Sequence, residues 1–325
     1  MRFAPAVSFC VVLSLFAGPA NAWNATGHKL VAAIAYQHLT PKARSRVDDL
    51  LRHHPDYGTL LAKDAPSDPE GRALAAFLNA ATWPDVIRGN DPRFYDESRK
   101  NSNPTPLLPG FPDMGRHAGW HFIDIGFSPD ATPVEPPVVP NALTELRRLL
   151  REYRTLPNSP QGLTRLAYDL PWIEHLVGDV HQPLHCTSRF TKELPHGDAG
   201  GNRVFVSPGR NLHSLWDNAA DSRMAESSEK SGENGTGDKI IVKNSERIAA
   251  QHPRPKRLSR NPKQWVEESF NLDKSEVYTF GLENGSREHP VALPAGYEEN
   301  ARRVAEVRIA WAGYRLAEVL NGSVK

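Results

Sequence analysis

The amino-acid sequence predicts a mostly α-helical domain with one small β-hairpin. Apolar residues recur at helical spacing in several long runs, among them Leu163–Val180 and Tyr297–Leu320. Only the stretch Gly200–Val206 has the pattern of a short strand or hairpin. A capping residue followed by proline, which favours a helix start, occurs at Thr40-Pro41, Asp68-Pro69 and Asn261-Pro262. Together these observations favour a helical fold with little sheet.

The predicted elements follow one another along the chain without a visible repeat. Residues 89–118 are rich in Pro, Asn, Asp and Gly and are predicted to form a long surface loop, and residues 226–238 to form a mobile insertion. The predicted helices are Lys29–Leu39, Pro41–Leu51, Pro69–Leu78, Ala142–Tyr153, Gln161–Val180, Pro262–Phe270 and Tyr297–Leu320.

The first 22 residues have the composition of a secretory signal peptide. Arg2 precedes an apolar run over residues 6–17, and Ala20-Asn21-Ala22 fits a small-x-small cleavage site. Cleavage there leaves 23–325 as a single domain that is secreted or periplasmic and, we expect, monomeric. Of the two cysteines, Cys10 lies in the signal and Cys186 remains alone, so the processed chain can form no internal disulfide.

Charge and hydrophobicity limit what the protein can bind. The chain has 39% hydrophobic and 24% charged residues, which is typical of a globular protein with a large core. Its 39 basic and 38 acidic residues become 38 and 38 once Arg2 is removed with the signal. A neutral chain lacks the overall basic surface of proteins that bind nucleic acid by phosphate neutralisation, so recognition of a polyanion must be local.

The histidines and aspartates fall into a pattern that suits metal binding. His175 and Asp179 are four residues apart on the long central helix, so both project from one face beside Gly178. His213 and Asp217 repeat this spacing. Three groups of ligand types result: His175 with Asp179, His185 with His213 and Asp217, and His121 with Asp85. Signal cleavage would add the free amine and carbonyl oxygen of Trp23, with His28 one turn into the first helix. Nitrogen and oxygen ligands of these types suit zinc.

The order of these motifs resembles the secreted zinc-dependent S1/P1 nucleases, which share a fold with zinc-dependent phospholipase C. The resemblance covers nearly the whole processed chain. It is carried by Trp23, Gly27-His28, Trp83-x-Asp85, His121-Phe-Ile-Asp124, His175-x3-Asp179-x-x-Gln-Pro-Leu-His185, Gly200-Gly201-Asn202, Asn211-Leu-His213-Ser-x-Trp-Asp217 and Gly313-Tyr314-Arg315-Leu316.

The resemblance implies three zinc ions per chain. The first is held by Asp85, His121, His175 and Asp179, the second by Trp23 and His28 with Asp179 as a bridge, and the third by His185, His213 and Asp217. It also implies hydrolysis of single-stranded DNA or RNA to 5′-nucleotides by a zinc-activated water, together with removal of terminal 3′-phosphates.

The resemblance assigns further residues to catalysis and substrate binding. Asp85 and Arg88 are expected at the catalytic centre, where Arg88 contacts phosphate. Phe122 and Asp124 are expected to stack on the base and to hydrogen-bond it, which favours an unpaired strand.

Two other functions remain open at this stage. A phospholipase C-like phosphodiesterase of the same fold would need an apolar rim around the site. A non-catalytic exported zinc-binding protein would have four protein ligands for each ion, whereas the ligand sets here leave positions for water.

Overall fold

α-Helices form most of the structure. The computed structural model describes residues 23–89, 91–157, 159–221, 237–281 and 283–322, so the predicted signal peptide and most of the 226–238 segment lie outside the described residues. The helices are α1 (Ala25–Gln37), α2 (Pro41–Arg52), α3 (Pro69–Ala80), α4 (Trp83–Arg88), α5 (Ala142–Thr155), α6 (Pro160–Asp179), α7 (Leu212–Asp217), α8 (Asp238–Gln251), α9 (Pro262–Leu272) and α10 (Tyr297–Gly322). The prediction of a mostly helical fold is confirmed.

The helix starts predicted from capping residues are present. In each case proline occupies the first turn, where its missing N–H costs nothing, and the preceding side chain accepts a backbone N–H. The acceptors and donors are Thr40 with Ala43, Asp68 with Gly71, and Asn261 with Lys263.

The small β structure is more extensive than the single predicted hairpin. Strands β3 (Phe205–Ser207) and β4 (Arg210–Asn211) form the expected antiparallel hairpin. A second pair, β1 (Gly126–Phe127) and β2 (Ser188–Arg189), is parallel. Two-residue strands about 60 positions apart have no periodicity of their own, so the sequence could not reveal this second pair.

Two other segments differ from the prediction. Helix α8 was not predicted, because it follows the polar 226–238 segment and presents few buried apolar side chains, among them Ile241 and Ile248. The 89–118 loop is not confined to the surface. Its Phe94 and Phe111 side chains are buried in the core, and Arg93 donates to the buried Asp56 carboxylate.

Helix α6 lies at the centre of the packing and positions the ligand residues. It contacts α1, α2, α4, α5 and α10, and nearly every side chain from Leu166 to Asp179 is buried. The buried apolar residues form one cluster that extends from Trp23 to Leu320. Among the described helices, none is both long and apolar enough to cross a bilayer.

Candidate metal centre

One group of ligand atoms gathers where α6 meets α4 and the 3-10 turn Ala118–His121. His175 Nε2 lies 3.3 Å from Asp179 Oδ2 and 3.7 Å from Asp85 Oδ1. His121 Nδ1 lies 3.4 Å from Asp179 Oδ2, 3.7 Å from Asp85 Oδ1 and 2.9 Å from His175 Nε2. Neighbouring ligands of a tetrahedral zinc ion with bonds near 2.0 Å are about 3.3 Å apart. These four atoms therefore have the spacing of one zinc site.

A second group forms on the other side of the Asp179 carboxylate. His28 Nε2 lies 3.3 Å from Asp179 Oδ1, and both side chains are fully buried. Gly178 makes this approach possible, because a Cβ there would lie 2.7 Å from His28 Nδ1. Trp23 is buried beside it, packed against Gly27, where a Cβ would lie 2.7 Å from Trp23 Cβ. The two oxygens of Asp179 thus face two different ligand groups.

A third group joins the 3-10 turn Pro183–Cys186 to α7. His213 Nε2 lies 3.5 Å from Asp217 Oδ2, and His185 Nε2 lies 3.9 Å from Asp217 Oδ1. All three side chains are buried. The Gln182 amide donates to Asp217 Oδ1 at 2.7 Å and so fixes the carboxylate between the two rings.

The tautomers of the third group indicate that it needs a cation. His185 Nδ1 donates to the carbonyl of His121 at 2.7 Å, and His213 Nδ1 donates to the carbonyl of Gly200 at 2.6 Å. Each Nε2 therefore carries a lone pair, and the two Nε2 atoms are only 3.0 Å apart. Burial, and then the neighbouring His213, lower the pKa of His185 well below its ordinary value, so protonation is not the remedy. A shared metal ion would satisfy both lone pairs.

Buried polar atoms without hydrogen-bond partners point the same way in the first two groups. Among the described residues, both oxygens of Asp179, both ring nitrogens of His28 and Asp85 Oδ1 have no hydrogen-bond partner. Such atoms are rare in native proteins, and they are often found where a cation binds. Burial, with Asp85 adding to it, raises the pKa of Asp179. Burial also lowers the pKa of His28 and, with help from Arg88, that of His121.

Arg88 lies at the edge of the first group. Its side chain is 12% exposed and its Nη1 is 3.9 Å from Asp85 Oδ1. Nη1 is itself buried without a hydrogen-bond partner among the described residues. A guanidinium held in this position can donate to an anion that reaches the ligand groups.

Phe122 and Asp124 flank the centre and are both partly exposed. The backbone between them is fixed, since Ile123 N–H donates to the carbonyl of His185 at 2.8 Å. Burial raises the pKa of Asp124 to about 6, and the nearby Asp198 carboxylate adds to the rise. Asp124 is therefore a carboxylate, and so a hydrogen-bond acceptor, at pH 7 and above.

Sequence reasoning missed the groups that orient the histidines. The carbonyl of Ala81 accepts from His175 Nδ1 at 2.8 Å, and the carbonyl of Gly200 does the same for His213. Such partners fix the ring that binds a metal. The one sequence signal was the Gly200-Gly201-Asn202 motif. Gly200 has φ of +59°, and a Cβ there would lie 2.3 Å from the carbonyl oxygen of Leu184.

Replacing Gly178 with Ala should disrupt the second group selectively. The added methyl would displace the His28 ring, because α6 and α1 are both held by core packing. We expect a loss of stability of about 1–3 kcal/mol, together with the loss of one metal ion per chain, measured by thermal melting and elemental analysis. Gly58→Ala is the matched control, since a Cβ there meets nothing within 4 Å. Unchanged metal content in Gly178→Ala would show that His28 is not a ligand.

Comparison with known proteins agrees with the site. A model described as "S1/P1 Nuclease" matches residues 23–325. Nuclease S1 of Aspergillus oryzae (strain ATCC 42149 / RIB 40) is 25% identical over 206 residues, which cover 60% of this chain and 53% of the relative. Endonuclease 2 of Arabidopsis thaliana is 25% identical over 207 residues, covering 62% of this chain and 58% of the relative. In these alignments the chain therefore spans little more than half the length of either relative.

Proposed function

Because this chain belongs to the S1/P1 nuclease family, we propose that it is an exported zinc-dependent phosphodiesterase. It hydrolyses single-stranded DNA or RNA to 5′-nucleotides, and the same site removes 3′-phosphates. The observation that carries the proposal is the meeting of three buried His/Asp groups, each with ligand atoms within 4.8 Å of one another. The family match begins at Trp23, which supports signal cleavage before that residue and a single domain over 23–325.

The ligand sets follow from the geometry of the three groups. Asp179 bridges two ions, since its two oxygens face His28 on one side and His175 on the other. Trp23 completes the second site with its free amine and its carbonyl oxygen. When bound, three zinc ions would supply an activated water and an excess of about three positive charges over the three carboxylates. The full sets are Asp85, His121, His175 and Asp179; Trp23, His28 and Asp179; and His185, His213 and Asp217.

The chain's own side chains orient the substrate around this centre. Arg88 donates to a phosphate oxygen beside Asp85, a contact that a mostly buried guanidinium makes strongly. Phe122 offers a partly exposed ring on which a base can stack. Asp124, ionised at neutral pH, accepts an N–H from the base edge. Stacking requires the base to leave its pair, which accounts for a preference for single strands.

The proposal is tested with purified protein on four substrates: single-stranded DNA, RNA, a 3′-mononucleotide and a phosphatidylcholine analogue. We expect cleavage of the nucleic acids to 5′-phosphate products and release of phosphate from the 3′-mononucleotide. Turnover of the lipid analogue alone would replace the proposal with a phospholipase activity. Absence of turnover on all four by zinc-loaded protein would indicate a non-catalytic zinc protein.

Replacing Phe122 with Ala should weaken substrate binding without loss of metal. A stacking contact contributes about 1–3 kcal/mol for each base, so KM for a dinucleotide should rise by about tenfold or more. A simple aryl phosphodiester, which has no base, serves as the control substrate and should be cleaved at the wild-type rate. Equal losses on both substrates, with zinc content intact, would assign Phe122 a structural role.

A further inference from the structure

A basic groove lies apart from the metal centre, along α5. The largest cavity, about 1120 Å³, is bounded by α2, α5 and the start of α6. A second cavity of about 440 Å³ shares Arg154 and Thr155 with it and continues along α5 to α9. The six cations that line the two cavities define the basic groove: Lys42, Arg46, Arg147, Arg151, Arg154 and Arg260.

The charge of this groove is strongly one-sided. Asp49 is the one carboxylate among the residues that line the two cavities, and it pairs with Arg52. The local excess is unexpected in a chain whose basic and acidic residues nearly balance. Exposed cations that converge without compensating carboxylates repel one another, so the groove favours a polyanionic partner.

The arginines of α5 are arranged as a row. Arg147, Arg151 and Arg154 are exposed and recur at a spacing of four and three residues, so they share one flank of the helix. Within the described part of the chain, none of their side chains has a hydrogen bond or ion pair. The opposite flank is different, because Arg148 there pairs with Glu145 and Glu152. The row is therefore a set of available donors about 4.5–6 Å apart along the helix axis.

The position of the groove relates it to the metal centre. Leu163 lines the larger cavity and is twelve residues before His175 on the same helix, which places them about 18 Å apart along α6. The other end of the row is close to the base-binding segment, since Ala142 N–H at the start of α5 donates to the carbonyl of Phe122 at 3.0 Å. A flexible strand of several nucleotides can therefore occupy both regions at once.

We propose that the basic groove is an exosite that binds the phosphate backbone of a single-stranded polynucleotide while another part of the same strand occupies the metal centre. The inference rests on the proposed function. A single strand fits better than a rigid duplex, because it can bend from the groove to the centre. Binding at the exosite raises the effective concentration of the strand at the centre, so long substrates gain and short ones do not.

The exosite is tested by removing the row of arginines. The variant is Arg147→Gln, Arg151→Gln and Arg154→Gln together. The control carries Lys239→Gln, Lys243→Gln and Arg303→Gln, which remove three exposed charges from other helices. Cleavage is measured as kcat/KM on strands of about 30 and about 4 nucleotides. Binding of the longer strand is measured by fluorescence anisotropy over a range of salt concentrations, with Asp179→Asn added to each protein to prevent turnover.

Each arginine that contacts a phosphate contributes about 0.7 to the slope of log K against log salt. We therefore expect the slope to fall by about 2 in the triple variant and not in the control. At low salt, kcat/KM on the long strand should fall by about tenfold, while that on the short strand stays within about twofold. Equal losses on both strands, or a salt slope like that of the control, would overturn the exosite.

Two further outcomes distinguish an exosite from a different role of the groove. If the triple variant loses binding to vesicles rich in anionic phospholipid but binds the long strand as before, the groove is a membrane contact and the inference is wrong. If the protein cleaves neither strand, the proposed function fails. The anisotropy measurement still decides whether the groove binds a polynucleotide, because it does not depend on cleavage.

Discussion

Replacing Asp179 with Asn is expected to remove two of the three metal ions and nearly all activity. Its Oδ1 lies 3.3 Å from His28 Nε2 and its Oδ2 lies 3.3 Å from His175 Nε2, so a single carboxylate belongs to two ligand groups. Asparagine keeps the size of the side chain but loses the charge and replaces one oxygen with an amide donor. Either group then lacks an anionic ligand at full burial.

The expected size of this effect follows from what weaker changes do. Loss of a residue that only orients a ligand costs about 10–100-fold in metal affinity or activity, so loss of a shared ligand should cost activity at least about 100-fold. The third group should keep its ion, because His185, His213 and Asp217 do not include Asp179. Asp49→Asn, at an exposed carboxylate of α2, is the control. A variant with full metal content would contradict the bridging role of Asp179.

Removal of the metal ions should lower the melting temperature by more than about 10 °C and abolish activity. Without a cation, the Nε2 lone pairs of His185 and His213 face each other at 3.0 Å, and both oxygens of Asp179 remain buried without hydrogen bonds. The processed chain has no disulfide to compensate, since Cys186 is a free buried thiol. The free energy of metal binding is therefore also free energy of folding.

This expectation is checked by differential scanning calorimetry of the protein before and after exhaustive chelation. Added zinc should restore both the melting temperature and the activity. Magnesium, which prefers oxygen ligands and octahedral geometry, is the control and should restore neither. An unchanged melting temperature after complete metal removal would show that the ligand groups do not stabilise the fold.

The local features of this fold could be predicted from sequence, because neighbouring residues determine them. Thr40, Asp68 and Asn261 each cap a helix that begins with the proline after them, and the structure has all three. His175 and Asp179 share a face because four residues make about one helical turn. Gly178 was expected to leave room for a close neighbour, and the His28 ring occupies that space.

Features that depend on tertiary packing could not be predicted in this way. Nothing near His185 in sequence indicates that its ring meets His213, which is 28 positions further on. The parallel pair β1 and β2 is held between distant segments, and Arg93 fixes the 89–118 loop through Asp56, 37 positions earlier. Arg88 looked like an exposed residue at a helix end, yet its side chain is mostly buried at the ligand groups.

The most direct test of the trinuclear zinc centre is the zinc content of purified chain that begins at Trp23. Trp23 is buried beside His28 and Gly178, so its amine and carbonyl oxygen are expected to complete the second site. We expect about three zinc ions per chain, and about two when a retained methionine precedes Trp23, because an amide nitrogen has no lone pair to donate. One zinc ion per chain, or the same content in both forms, would contradict a centre of this composition.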